Sequence, residues 1–168
     1  SDETGLRFLK ALSEAQARGV QVWVLIDAFG EKYSKVPISR FLRKEKFHWA
    51  TFLPLSFSIN SLHFNLRNHR KLLVVDGKVG FTGGMNIRGR HLVQLKDRQP
   101  RVSDIHFRLE GPVVLELQEV FLEDWNLATG RTLEWMGRLP KRLPGKSVCR
   151  VISGGPNEDF EKINWILL

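Results

Sequence analysis

Leu6, Leu9, Leu12 and Ala15 recur at near-helical spacing behind Asp2 and Thr4, either of which can cap a helix, and Gly19 ends the run. Residues 20–27 follow as an apolar stretch closed by an aspartate, the composition of a buried strand. The pattern then predicts a short basic helix over 38–47 and a strand over 49–53. Leu72, Leu73, Val74 and Val75 form another apolar run, so residues 69–75 read as extended. Asp76-Gly77 stops that strand with a pair favoured in two-residue type I′ turns, and 78–82 return antiparallel. A loop through about 101 leads to a strand over 104–109. Pro112 then opens a helix running to about 128, with Val113, Leu117, Val120, Phe121 and Trp125 on its core face. Strands alternating with helices predict an α/β fold, a mixed β-sheet flanked by helices.

The hairpin carries the chemistry. Alternate residues of a strand share a face, so His69 and Lys71 point the same way, roughly 7 Å apart at ~3.3 Å per residue. The return strand brings Gly83, Gly84 and Asn86 back towards His69. A neutral imidazole can attack phosphorus and form a phosphohistidine. Lys71 places a charge at the non-bridging oxygens and Asn86 donates hydrogen bonds to them, while the glycines, Gly84 in particular, let the backbone approach the phosphate closely. Asp76 lies an odd number of steps from Lys71, on the opposite face, where it organises the turn and nearby groups. This chemistry needs no metal, and no cofactor is expected.

The spacing H-x-K-x4-D-x6-G-G-x-N over residues 69–86 resembles the signature of the phospholipase D superfamily, with His69, Lys71 and Asp76 as its catalytic residues. The wording around it, residues 19–30, 65–71, 80–87, 104–112 and 121–125, is similar to bacterial cardiolipin synthases over nearly the whole chain. The resemblance implies a phospholipase D-like half-domain. It also implies a reaction: histidine attacks one phosphatidylglycerol, glycerol leaves, and a second phosphatidylglycerol displaces the enzyme to give cardiolipin. Lys71, Gly84 and Asn86 would hold the phosphate, and Asp104 would orient His69. Asp104 has an ordinary reading too, as a solvated acid at a strand edge.

Such enzymes carry two motifs per site, the second histidine protonating the leaving group. This chain has one, because His48, His63, His91 and His106 lack a lysine two residues on. General-acid help is worth ~10²–10⁴-fold, so the second motif is expected from a missing carboxyl-terminal half or from a second chain. Residues 1–147 read as a first repeat and 148–168 as the truncated start of a second. Within the latter, 148–152 is a strand, 153–157 a break and 158–168 the first turns of a helix similar to the amino-terminal one.

The 168 residues, 42% hydrophobic and 26% charged, suit one globular domain, and a net charge of +8 favours anionic partners. Charge does not separate phospholipid from nucleic acid; the resemblance favours phosphatidylglycerol and a membrane surface, with nucleic acid not an expected partner. It also implies association with the bacterial inner membrane, although the chain contains no transmembrane run. Arg138, Lys141, Arg142 and Lys146 cluster in a turn-rich linker beside Trp135, which either lies on an anionic bilayer or is a solvated connection. The apolar stretch 52–64 either accepts acyl chains or packs as core. Cys149 is the single cysteine and the histidines lack ligand spacing, so neither a disulfide nor a metal site is expected. Two other functions stand beside lipid synthesis: a nuclease or phosphodiesterase pairing two chains, and a lipid-binding half without turnover.

Overall fold

The computed structural model describes residues 2–31, 36–52, 68–92, 102–134, 145–154 and 165–166. Expectations about the apolar stretch 53–64, the basic cluster of the linker apart from Lys146, and most of the final helix lie outside the described residues.

Helix α1 (Glu3–Ala17) begins where the Asp2 side chain accepts from Gly5 N at 3.1 Å, and Gly19 follows it at φ +91°. Leu9 and Leu12 pack on a core of Val22, Leu42 and Phe47, joined by Val24, Ile26, Ile38 and Trp49. Leu6 sits on the same predicted face but is exposed. Strand β1 (Trp23–Asp27) pairs in parallel with β2 (His48–Phe52), from Trp23 opposite His48 to Asp27 opposite Phe52. A short helix α2 (Ala28–Glu31) leaves the end of β1. The basic helix expected over 38–47 is a single turn, α3 (Ser39–Leu42), which buries Leu42. Beyond it Arg43, Lys44 and Lys46 are exposed, and only Phe47 of the remaining stretch docks in the core.

Three antiparallel strands follow in the order β3 (Leu72–Val75), β4 (Val79–Gly83) and β5 (His106–Glu110). Val75 pairs with Val79, so three residues, not two, span the bend. Asp76 and Gly77 still take the φ > 0 pair of a type I′ turn, at +53° and +62°, and Lys78 N bonds Val75 O at 3.0 Å. Helix α4 (Val113–Thr129), led in by Pro112 and ended by Gly130 at φ +67°, lies over this sheet and over β2. Gly80 is buried beneath it: a Cβ there would meet Leu117 Cδ1 at 2.7 Å. Trp125 on α4 stands edge-on to Trp23, which also stacks on His48 with centroids 4.0 Å apart.

The fold is thus α/β, with parallel and antiparallel strands flanked by helices. One expected strand is absent. Residues 148–152 make no ladder; Val148 is fully exposed and Val151 N donates to Glu116 Oε2 on α4 at 2.8 Å. A strand needs a partner edge, and here a side chain of a helix takes the backbone donor instead.

Candidate active site

The lead-in to β3 is not strand. Ladder bonds begin at Leu72, and residues 68–71 are held by local bonds that replace them. Arg70 N donates to Asn68 Oδ1 at 3.1 Å, an Asx-type turn, and Lys71 Nζ donates to the His69 carbonyl at 2.6 Å. His69 and Lys71 are therefore not placed together by a shared strand face. The two residues are neighbours because the lysine curls back over the histidine's own backbone. His69 itself is exposed.

Around Lys71 the charges converge. Partial burial pushes its ammonium below the ordinary lysine range, while the nearby carboxylates of Asp27 and Asp104 oppose that drop. Asp27 is the last residue of β1, and Asp104 stands just ahead of β5. The carboxyl end of one sheet thus meets the approach to two strands of the other.

Gly83 and Gly84 make this closeness possible. A Cβ on Gly84 would overlap the Asp104 carboxylate. Gly83, at φ +149°, lies so near β5 that a Cβ would fall 2.7 Å from His106 Cα and 2.9 Å from His106 Nδ1. Gly84 N donates to Ile105 O at 3.0 Å, and Asp104 Oδ1 accepts from Ile105 N at 2.8 Å. Asn86 follows in a tight bend, its carbonyl accepting from Arg88 N at 2.8 Å. The hairpin register returns Gly83–Asn86 to the end from which His69 and Lys71 enter.

The structure brings Lys71, Gly84 and Asp104 together. It joins Asp104 to His69 by no hydrogen bond among the described residues. Asp76, itself exposed, sits at the opposite end of the hairpin, about 13 Å from the entry of β3 at ~3.3 Å per residue.

Three residues of this neighbourhood carried no role in the sequence reading. Asp27 had a signal, a carboxylate closing a buried apolar strand. Asp124 had one as well: it falls four residues after Val120, on the apolar stripe of α4, and is buried. His91 had none. It lies buried in a 3₁₀ turn (Gly89–His91), and neither ring nitrogen has a hydrogen-bond partner among the described residues. Burial pushes its imidazole below the ordinary histidine range, and Arg90 adds to this while Asp104 opposes it.

Fold and site together define an α/β domain that gathers an imidazole, an ammonium and a glycine pair at the mouth of one hairpin. Residues 4–125 match the family model of the cardiolipin synthase PLD-like domain, and the chain belongs to that family. It is 36% identical over 167 residues to a cardiolipin synthase of Geobacillus sp. (strain WCH70), covering 96% of this chain and 33% of that protein. It is 33% identical over 168 residues to the major cardiolipin synthase ClsA of Bacillus subtilis (strain 168), covering 96% and 34%. A cardiolipin synthase of Listeria innocua serovar 6a is 31% identical over 166 residues, covering 97% and 34%. The chain spans about a third of the length of these relatives. No solved structure matches it. Among the described residues, no helix is long and apolar enough to cross a membrane.

Proposed function

We propose that this chain supplies one catalytic motif of a membrane-associated phosphatidyltransferase that makes cardiolipin from two phosphatidylglycerol molecules. A ring nitrogen of His69 attacks phosphorus, the bond to the glycerol oxygen breaks, and glycerol leaves with a proton from the second motif. The hydroxyl of a second phosphatidylglycerol then attacks the phosphohistidine. The P–N bond breaks and that hydroxyl's proton goes back to the second motif.

The observation that carries this reading is the placement of Lys71: hydrogen-bonded to the His69 carbonyl, flanked by Asp27 and Asp104, and close to the glycine bend. An ammonium has three donors, so the bond to His69 occupies one and phosphoryl oxygens can take the others. Gly84 opens the approach, Asn86 adds an amide, and Asp76 fixes the bend of the hairpin. Asp104 orients His69 when substrate closes the site, since catalytic hydrogen bonds commonly tighten only in the complex.

The test is His69→Ala in the intact protein. Cardiolipin formation from phosphatidylglycerol should fall to background, and the acid-labile phosphoryl label that wild type takes from labelled substrate should disappear. Turnover that survives the substitution would remove His69 as the attacking group.

A further inference from the structure

The residues on either side of His69 are both held by one carboxylate. Asp124 Oδ2 accepts from Asn68 Nδ2 at 2.7 Å, and Asp124 Oδ1 is paired with Arg70 Nη1. The other Arg70 amino group donates to the Gly154 carbonyl at 2.9 Å. Asp124 is 6% exposed, whereas His69, between the two gripped residues, is exposed.

An acid on the buried stripe of a helix carries a desolvation penalty that charged or polar donors must offset. Val120 and Trp125 beside it show that the same surface of α4 packs well with apolar groups. Packing therefore does not explain an aspartate here, but its two ligands do. They are the side chains one residue before and one residue after the attacking imidazole. With Lys71 Nζ on the His69 carbonyl, the backbone of His69 is fixed from three directions.

We propose that Asp124 is a positioning residue for His69, acting through Asn68 and Arg70, an inference that rests on the nucleophilic role given to His69 above. The Arg70 bond to Gly154 extends the same grip to the segment 145–154, so that segment is tied to the loop that carries the imidazole.

The test compares Asp124→Asn, Arg70→Gln and the double variant in the intact protein, with His69→Ala alongside. Each single substitution should lower kcat about 10²-fold, the scale of a reacting group displaced by ~1 Å, with KM moved less than about threefold. The double variant should lose no more than either single one, because both break the same grip. An unchanged kcat in Asp124→Asn, or losses that multiply, would overturn the proposal. If Asp124→Asn fails to fold, Asn68→Ala leaves the ion pair intact and is read by the same criteria.

A second readout does not depend on turnover. The imidazole cross-peak of His69 in histidine-labelled protein should shift or broaden in Asp124→Asn while the rest of the spectrum stays folded; an unmoved peak contradicts positioning. Full activity in His69→Ala would defeat the mechanism, and the spectrum would then decide the positioning alone. Loss in His69→Ala with wild-type behaviour in Asp124→Asn would defeat only the positioning.

Discussion

The Asp104 carboxylate is packed against the Cα of Gly84, in the volume that a Cβ at position 84 would fill. Gly83, one residue earlier, meets backbone instead, at Ile105 O and His106 Cα, with φ +149°. The two glycines should therefore fail differently. In Gly84→Ala a side-chain end can swing away, so stability should change little, but Asp104 leaves Lys71 and turnover should fall at least ~10-fold. Gly83→Ala should destabilise by more than about 2 kcal/mol, because neither strand backbone nor dihedral can yield cheaply. Thermal unfolding together with cardiolipin formation separates the two outcomes; equal stability losses would contradict the assignment.

Lys71 should set the alkaline limb of activity. Burial lowers its pKa, so the native chain gives up this proton before the unfolded chain does. Between the native and unfolded values the unfolded state binds more protons, and stability from this group rises with pH through that window. Activity should move the other way, because the phosphate-binding role proposed for Lys71 needs the cation. The limb should lie below the ordinary lysine range and move lower still in Asp27→Asn, which removes one of the two carboxylates that raise the lysine. A pH–rate profile checks this, and a limb unmoved by the substitution would separate Asp27 from Lys71.

Asp2 joins the start of α1 to the loop beyond the glycine bend, accepting from Gly5 N at 3.1 Å and from Gly89 N at 2.7 Å. Burial pushes this carboxyl up, but the backbone bonds from Gly89 and Gly5 outweigh it and hold the group below its ordinary range. The stabilisation is thus complete above the unfolded carboxylate pKa and is lost as pH falls through the lower native one. Asp2→Asn should flatten the acid side of the stability profile measured by denaturant unfolding at several pH values. An identical acid slope in the variant would count against the link to Gly89.

Gly80→Ala should destabilise by about 1–3 kcal/mol through overpacking, since the new methyl would lie 2.7 Å from Leu117 Cδ1 under α4. The urea midpoint should fall with the slope unchanged. A variant as stable as wild type would mean that α4 does not press on the sheet at this point.

Much of the architecture was legible along the chain. Asp2 caps α1, Asp76-Gly77 turns the hairpin, and Pro112 opens α4, because capping and turn chemistry act over a few residues. The motif spacing likewise marked Lys71 and Gly84, and the family resemblance pointed to Asp104, which the fold brings beside them. The lead-in at 68–71 read as strand, because side-chain bonds that replace ladder bonds leave no trace in hydrophobic alternation. Residues 148–152 read as strand too, since β composition does not reveal whether a partner edge exists.

Local order, the glycine bend and the spacing that places His69, Lys71 and Asn86 around one hairpin were set by the sequence alone, through spacing and conformational preference. Only the tertiary structure decided that Asp27 and Asp104 share Lys71, and that Asp124, 55 residues beyond His69, grips both of its neighbours. Those relationships join separate elements, and where two elements meet is settled by packing α4 on the sheet, a choice that no short window of sequence contains.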